Sequence, residues 1–229
     1  MMVDVYEKQA TLMGAVALKE AEKEDVITTL HSRLFVQIDR GHCLKEKDHT
    51  PWYMAAKADQ PSHFWDRYRI YLQKEQHWNK DTVNELDKTT DEIMDLLGNP
   101  DSANSFLYRG LCIGDVQSGK TSTYIGLINK AADAHYRVII LLTGTIEKLR
   151  RQTQQRIDEG FIGLDSYAFT LEKDNVQVGV GAIDPNTSGW AVTSTTSDFN
   201  AATAKKIVGQ LNNISAPVIL VLKKNKSVL

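Results

Sequence analysis

The sequence predicts an α/β protein in which an N-terminal helical region, residues 1–100, precedes a P-loop parallel-sheet domain, residues 101–229. Three observations lead to this prediction. Apolar residues recur at helical spacing in the first hundred positions. From residue 106, short apolar runs alternate with helical patterns, which is typical of a parallel α/β layer. A glycine-rich motif at residues 114–121 lies between one such run and a helix.

The composition is that of a globular protein and excludes several classes. The 229 residues are 42% apolar and 24% charged, and the net charge of −2 does not fit a protein that coats nucleic acid. Cys43 and Cys112 lie far apart, so we expect no disulfide and a reducing compartment. The sequence shows no signal-peptide pattern and no apolar run long enough to span a membrane. The expected location is the cytoplasm, without membrane partners.

The N-terminal region is predicted to be helical. Apolar residues at helical spacing in residues 26–38 predict one helix. Another is predicted at residues 81–97, capped by Thr82 with Glu85 and ended by Gly98 and Pro100. Between them lies an aromatic-rich stretch that could stack nucleic-acid bases but is more typical of a small helical core. Its members are Trp52, Tyr53, Phe64, Trp65, Tyr68, Tyr71 and Trp78. The histidines near Cys43 match no paired zinc-ligand spacing.

The glycine-rich motif matches G-x-x-x-x-G-K-[ST], the phosphate-binding P-loop. Glycines permit the backbone to turn its N–H groups toward an anion, Lys120 would contact the β- and γ-phosphates, and the Thr121 hydroxyl would ligate Mg²⁺. Residues 106–113 are predicted as the strand before the loop and residues 122–134 as the helix after it. The predicted nucleotide-binding residues are Gly114, Asp115, Val116, Gln117, Ser118, Gly119, Lys120, Thr121 and Ser122.

The chain after the motif continues the α/β pattern. Residues 136–142 predict a strand covered on both faces, and Thr143, Gly144 and Thr145 follow at the sheet edge where ligands bind. Residues 146–159 predict a helix whose inner face holds Ile146, Leu149, Thr153 and Ile157. Strands are also predicted at residues 166–171 and 217–222, a turn at 184–189 and a helix at 201–211.

Basic residues cluster on the helix predicted at residues 146–159. Arg150 and Arg151 are the candidates for nucleic-acid contact, with Lys148, Gln155 and Arg156 nearby. Glu147, Asp158 and Glu159 lie on the same helix, so a solvated helix face explains the pattern equally well.

An acidic motif that would hold Mg²⁺ and polarise water is missing after the apolar strands. One strand ends in Thr143 and Gly144, the other in Lys223 and Lys224. We therefore expect either a piece of a longer protein, whose C-terminal segments complete the site, or a binder that does not hydrolyse nucleotide.

Three stretches, at residues 108–122, 131–156 and 217–225, resemble the Z-one domain family. These bacterial proteins are described as endonucleases, are similar to superfamily-two helicase ATPases and are associated with restriction and phage defence. The resemblance covers residues 80–229 and implies a partial RecA-like P-loop core that binds ATP and Mg²⁺ and acts on DNA. It would make residues 143–145 a helicase-like motif that touches DNA or the nucleotide. The family's acidic motif has no counterpart here, and the sequence identifies no nuclease residues.

The predicted function is therefore the ATP-binding part of a DNA-acting ATPase and endonuclease in defence against foreign DNA, with Lys120 and Thr121 as catalytic residues. A nucleotide-dependent switch or scaffold without nuclease activity is the alternative. A third possibility is a helical interaction module with an incidental P-loop motif. Asn79, Lys80 and Asp81 precede the P-loop and lack the spacing of a guanine-reading element, which disfavours GTP.

Overall fold

A computed structural model of the chain describes residues 43, 49–113, 119–167, 176–200 and 215–224. The helices predicted at residues 26–38 and 201–211 lie outside these ranges and stay predictions. The described helices, in chain order, are α1 (Tyr53–Asp59), α2 (His63–Lys74), α3 (Lys80–Leu96), α4 (Lys120–Asp133), α5 (Glu147–Ile157) and the short α6 (Val180–Ile183). A π-helical turn, Asp158–Ile162, follows α5, and the strands are β1 (Val138–Thr143), β2 (Trp190–Ala191) and β3 (Val218–Lys223).

Helix α3 confirms the helix predicted at residues 81–97, but its cap differs. Asn79, not Thr82, caps the helix, because its side-chain oxygen accepts a hydrogen bond from the Thr82 backbone N–H at 2.7 Å. Asn79 has extended backbone angles, whereas Thr82 already lies inside the first turn. The helix ends at Leu96, and Leu97 returns to an extended conformation before Gly98.

The aromatic stretch forms a helical core, as expected. Tyr53, Trp65, Tyr68 and Tyr71 are buried, and the rings of Tyr68 and Tyr71 stack with centroids 6.3 Å apart. These side chains pack with apolar residues of α3 and α4 instead of lying on the surface. They are therefore not available as a surface for stacking bases.

The strands form a parallel sheet with the order β1-β3-β2. Both long predicted strands are confirmed, at Val138–Thr143 and Val218–Lys223. Their register pairs Val138 with Val218 and Thr143 with Lys223, so the carboxyl ends of β1 and β3 meet at one edge. The protein is thus a mixed α/β structure with a small parallel sheet.

Within the described part of the chain, strand β1 is not covered on both faces, contrary to the prediction. Its residues alternate between exposed and half-buried, and Ile140 is 55% exposed. Ile139 and Leu141 face the main core, whereas the outer sheet face is covered over β3 by Trp190, Val192 and Phe199. Because β1 lies at the end of the strand order, this cover does not bury its outer side chains.

Residues 106–113 do not form the predicted strand. They adopt no regular structure and are exposed throughout, with Leu107 at 83% and Leu111 at 86% exposure. Cys112, in the same segment, is also exposed. An apolar run shows that a segment could enter a sheet, but it does not specify a partner strand. In the described residues β1 pairs with β3.

One core joins the two predicted regions. Trp65 and Leu86 of the helical region pack in the same cluster as Ile125 of α4 and Ile219 of β3. Gly126 allows α4 to approach α2 closely, because a Cβ at this position would lie 3.2 Å from the Trp65 ring. Helix α4 packs against α2 and α3 and against the π-helical turn at Asp158–Ile162.

Helix α5 confirms the helix predicted at residues 146–159 but buries only part of the predicted face. Ile157 is buried, as predicted, whereas Ile146 is 61% exposed and Leu149 is also exposed. The polar Arg150 and Gln154 are buried as well. These buried polar side chains are tolerated because they form hydrogen bonds with a neighbouring loop. Of the strand predicted at residues 166–171, the described residues 166–167 form a turn and the others lie outside the described ranges. The predicted turn at 184–189 is confirmed by hydrogen bonds to Asp184.

Candidate functional site

The described end of the glycine-rich motif forms the start of α4. Gly119 has φ +73° and ψ +14°, a left-handed conformation that glycine adopts without a Cβ penalty. Helix α4 begins at the next residue, Lys120, whose side chain is exposed. Among the described residues no side chain caps this end. Its first N–H groups and positive helix dipole can therefore receive an anion such as a phosphate. Gly114, Asp115, Val116, Gln117 and Ser118 lie outside the described residues.

The Thr121 hydroxyl meets an arginine from another helix. Arg156, in the last turn of α5, donates a hydrogen bond from Nη1 to Thr121 Oγ1 at 2.9 Å. The Tyr124 hydroxyl bonds to the same pair; burial raises its pKa, and Arg156 and Thr121 oppose that rise. The predicted Mg²⁺ ligand thus belongs to a cluster of three polar side chains.

Ser122 faces the protein interior. Its hydroxyl is hydrogen-bonded to Tyr68 of α2, a side chain that is almost fully buried. Burial raises the pKa of Tyr68, and the bond to Ser122 opposes this effect. At the next residue, the Thr123 backbone N–H bonds to the Gly119 carbonyl at 2.9 Å. The contact between Ser122 and Tyr68 fixes the start of α4 against α2.

A buried ion cluster fixes the middle of α4. The fully buried Lys130 ammonium contacts carboxylate oxygens of Asp87 and Asp91 and lies 4.4 Å from the Trp65 ring centroid. Lys57 contacts the same two carboxylates. Burial lowers the pKa of Lys130 and by itself raises that of Asp87, but the two lysines bring the Asp87 pKa below its ordinary value. Sequence reasoning missed this cluster, since a lone lysine in a helix reads as exposed.

Arg150 is placed where it cannot serve the nucleic-acid role expected of it. Its guanidinium is fully buried and donates to the Ser194 carbonyl at 2.8 Å and to the Glu147 carboxylate at 2.8 Å. A buried, paired guanidinium has no surface for a phosphate backbone. Arg151, by contrast, is exposed on the same helix and pairs with Glu147 at 3.2 Å.

A second buried polar network lies beneath α5. Gln154 donates to Asp158 at 2.9 Å and accepts from the Thr193 hydroxyl at 2.8 Å, and Thr193 in turn accepts from the Val221 backbone N–H. Ser166 also donates to Asp158. Burial raises the pKa of Asp158 to about 6, while these donors oppose the rise. The network joins α5 to β3. The stretch rich in serine and threonine around Thr193 was the sequence signal that could have indicated this network.

The carboxyl edge of the sheet is charged. Lys223, at the end of β3, contacts Glu147 at 2.9 Å and Asp198 at 3.4 Å. Arg150, followed by Lys223 and Arg151, lowers the pKa of Glu147 to about 2. Thr143 donates to the Leu222 carbonyl at 3.0 Å, and Gly144 and Thr145 are exposed beside it. The sequence predicted that residues 143–145 lie at the sheet edge where ligands bind, but it did not indicate these ion pairs.

Comparison with protein-family models, with curated proteins and with solved structures finds no match to this chain.

The described residues contain no group of three or more histidine, cysteine or acidic side chains placed to hold a metal ion. Within the described part of the chain, no helix is both long and apolar enough to cross a membrane.

Proposed function

We propose that this chain binds Mg-ATP through residues 114–122 and forms the nucleotide-binding part of a RecA-like, DNA-acting ATPase. The observation that supports this proposal is the continuity between the glycine-rich motif and α4. Gly119 of the motif has a left-handed conformation, and the helix begins with the last two motif residues, Lys120 and Thr121. This arrangement favours an anion at the helix start.

Each motif residue has a separate role in the proposed site. The glycines at both ends of the loop let its N–H groups face the phosphates. The exposed Lys120 ammonium neutralises the β- and γ-phosphates, and the Thr121 hydroxyl ligates Mg²⁺. Ser122 contributes its backbone N–H, because its side chain bonds to Tyr68. Lys120 and Thr121 are the proposed catalytic pair.

DNA is the proposed partner, and endonuclease activity in defence against foreign DNA is the proposed context, in the cytoplasm. The resemblance of residues 108–122, 131–156 and 217–225 to the Z-one domain family supports this part. The exposed Arg151 and Lys148 on α5 are the cations proposed to contact a phosphate backbone. The exposed Gly144 and Thr145 lie at the sheet edge beside them.

A nucleotide-dependent switch or scaffold is the second candidate. It is favoured by the ends of β1 and β3, where Thr143 and Lys223 stand in place of an acidic residue. The nearby Glu147 and Asp198 carboxylates are paired with Lys223 and Arg150. A switch would bind nucleotide without salt-sensitive binding to DNA, whereas a DNA-acting ATPase would show both.

Calorimetry with Mg-ATP and Mg-GTP tests the nucleotide proposal. We expect the full chain to bind Mg-ATP, and Lys120→Ala to weaken binding at least about tenfold, since a charge-assisted contact is lost. Lys74→Ala is the matched control, because Lys74 is an exposed lysine at the end of α2. A folded wild-type chain that binds neither nucleotide would contradict the proposal. Equal affinity for Mg-GTP would contradict the preference for ATP.

A further inference from the structure

Arg156 reaches the start of α4 from a distant part of the chain. It lies 35 positions after Thr121, and its guanidinium donates to the Thr121 hydroxyl at 2.9 Å. The contact therefore joins the end of α5 to the side chain that would ligate Mg²⁺. Tyr124, one turn further along α4, bonds to both groups through its hydroxyl.

Arg156 differs from the other arginines of α5 in its polar partners. Arg150 and Arg151 both pair with Glu147, at 2.8 and 3.2 Å. Among the described residues, the polar contacts of the Arg156 guanidinium are the hydroxyls of Thr121 and Tyr124, with no carboxylate. An exposed guanidinium beside a helix N-terminus adds positive charge to a place that already favours anions.

Helix α5 is held firmly enough to position this guanidinium. Arg150 is bonded to the Ser194 carbonyl, and Gln154 to Thr193 and Asp158. Ile157, next to Arg156, is fully buried in the main core. Arg156 itself lies on the exposed side of the helix, so its side chain can turn while its backbone stays fixed.

We propose that Arg156 binds the terminal phosphate of a Mg-nucleoside triphosphate and exchanges its bond with Thr121 for that phosphate. This inference rests on the proposed nucleotide binding. When the Thr121 oxygen ligates Mg²⁺, a guanidinium 2.9 Å away would be repelled by the metal charge. A phosphate between them attracts both cations, and its oxygens match the guanidinium fork.

The exchange makes the site sensitive to the number of phosphates. A triphosphate presents its terminal group to Arg156, whereas a diphosphate leaves the guanidinium with the two hydroxyls. Arg156 thus distinguishes a triphosphate from a diphosphate by a side-chain contact, while the bonds of α5 to the loop at residues 193–195 keep the helix in place.

Calorimetry on the full chain with Mg-ATP and Mg-ADP tests this role. We expect Arg156→Ala to weaken Mg-ATP binding about tenfold or more while Mg-ADP binding changes less than about twofold, because a charge-assisted contact to the terminal phosphate is lost. Arg156→Lys should keep part of the preference, since it keeps the charge without the fork. Arg69→Ala is the control, because Arg69 is an exposed arginine of α2. Circular dichroism and thermal melting verify that each variant is folded.

The outcomes separate this inference from the proposed function. If the wild type binds both nucleotides and Arg156→Ala weakens both equally or neither, the role of Arg156 is refuted while nucleotide binding stands. If the folded wild type binds neither nucleotide, the proposed function is refuted and the role of Arg156 with it. Selective loss of Mg-ATP affinity in Arg156→Ala supports both.

Discussion

The side-chain ammonium of Lys130 donates hydrogen bonds to the carbonyl oxygen of Asp87 at 2.6 Å and to its carboxylate oxygen at 2.5 Å. Helix α4 is thereby joined to α3 by a fully buried cation. Because Asp91 and Lys57 complete the cluster, each charge has a partner of opposite sign. A buried charge of this kind is tolerated only while its partners remain.

Removing Lys130 should therefore destabilise the protein strongly. We expect Lys130→Ala to lower the free energy of unfolding by about 3 kcal/mol or more, because it leaves two partly buried carboxylates with one cation. Lys88→Ala, which removes an exposed lysine paired with Glu85 on the same helix α3 as Asp87, should change it by less than about 1 kcal/mol. Urea denaturation measures both, and equal effects would contradict the structural role of Lys130.

Stability should also depend on pH through Asp158. Burial raises the pKa of this carboxyl to about 6 in the folded state, above its value in an unfolded chain. The folded state then binds the proton more tightly, so this contribution is complete below about pH 4 and is lost as pH rises through 6. Its size is roughly 2 to 3 kcal/mol.

The test compares urea denaturation of the wild type and Asp158→Asn between pH 4 and pH 7. Asn cannot ionise, so the variant should lack the part of the pH dependence that comes from residue 158. Asp133, whose pKa burial also raises to about 6, keeps its contribution in both proteins. The stability difference between the two proteins should therefore change with pH, and a constant difference would argue against an ionising Asp158.

The exposed segment at residues 106–113 gives a direct test of the fold. Leu107→Ala should change the free energy of unfolding by less than about 0.5 kcal/mol, because Leu107 is exposed. Leu86→Ala should cost about 2 to 5 kcal/mol, because Leu86 is fully buried in the main core. If Leu107→Ala cost as much as Leu86→Ala, the segment would be packed as the sequence predicted.

Local sequence patterns were sufficient to predict α3, β1 and β3. They were not sufficient to predict which segments pair over long distances in the chain. The periodicity of residues 81–97 and the apolar run at 217–222 each carry their own signal, and both elements formed. The segment 106–113 carries a similar signal but has no strand partner in the described residues. A sequence pattern specifies which residues can be buried but does not choose the surface that buries them.

The buried cations show, at the candidate site, that a sequence pattern does not identify distant partners. Lys130 and Arg150 bond to partners 39 and 44 positions away, so no local pattern identifies them as buried. Charged residues are normally exposed unless paired, and the sequence does not show the pair. The motif ending at Thr121 was recognisable because its residues are consecutive in the sequence. Its contact with Arg156 was not, because that contact depends on how α4 and α5 pack.

Alanine variants of Arg150 and Arg151 should separate effects on stability from effects on DNA binding. Arg150→Ala should destabilise the protein by about 3 kcal/mol, because the Ser194 carbonyl and Glu147 lose a buried partner. Arg151→Ala should leave stability within about 1 kcal/mol, because its ion pair is exposed. If the chain binds DNA, Arg151→Ala should weaken that binding and reduce its salt dependence. A salt titration with duplex DNA measures this, and an unchanged slope would remove Arg151 from the interface.

Gly119 provides the sharpest test of backbone geometry at the start of α4. Its left-handed φ of +73° is unfavourable for residues with a Cβ, so Gly119→Ala should lower the free energy of unfolding by about 1 to 2 kcal/mol. Gly119→Asn should cost less, because asparagine tolerates this conformation better than alanine. Gly110→Ala is the matched control, since a Cβ there would meet nothing within 4 Å. Urea denaturation gives the stabilities. If the Gly119 and Gly110 alanine variants were equally stable, the left-handed turn before Lys120 would not be required.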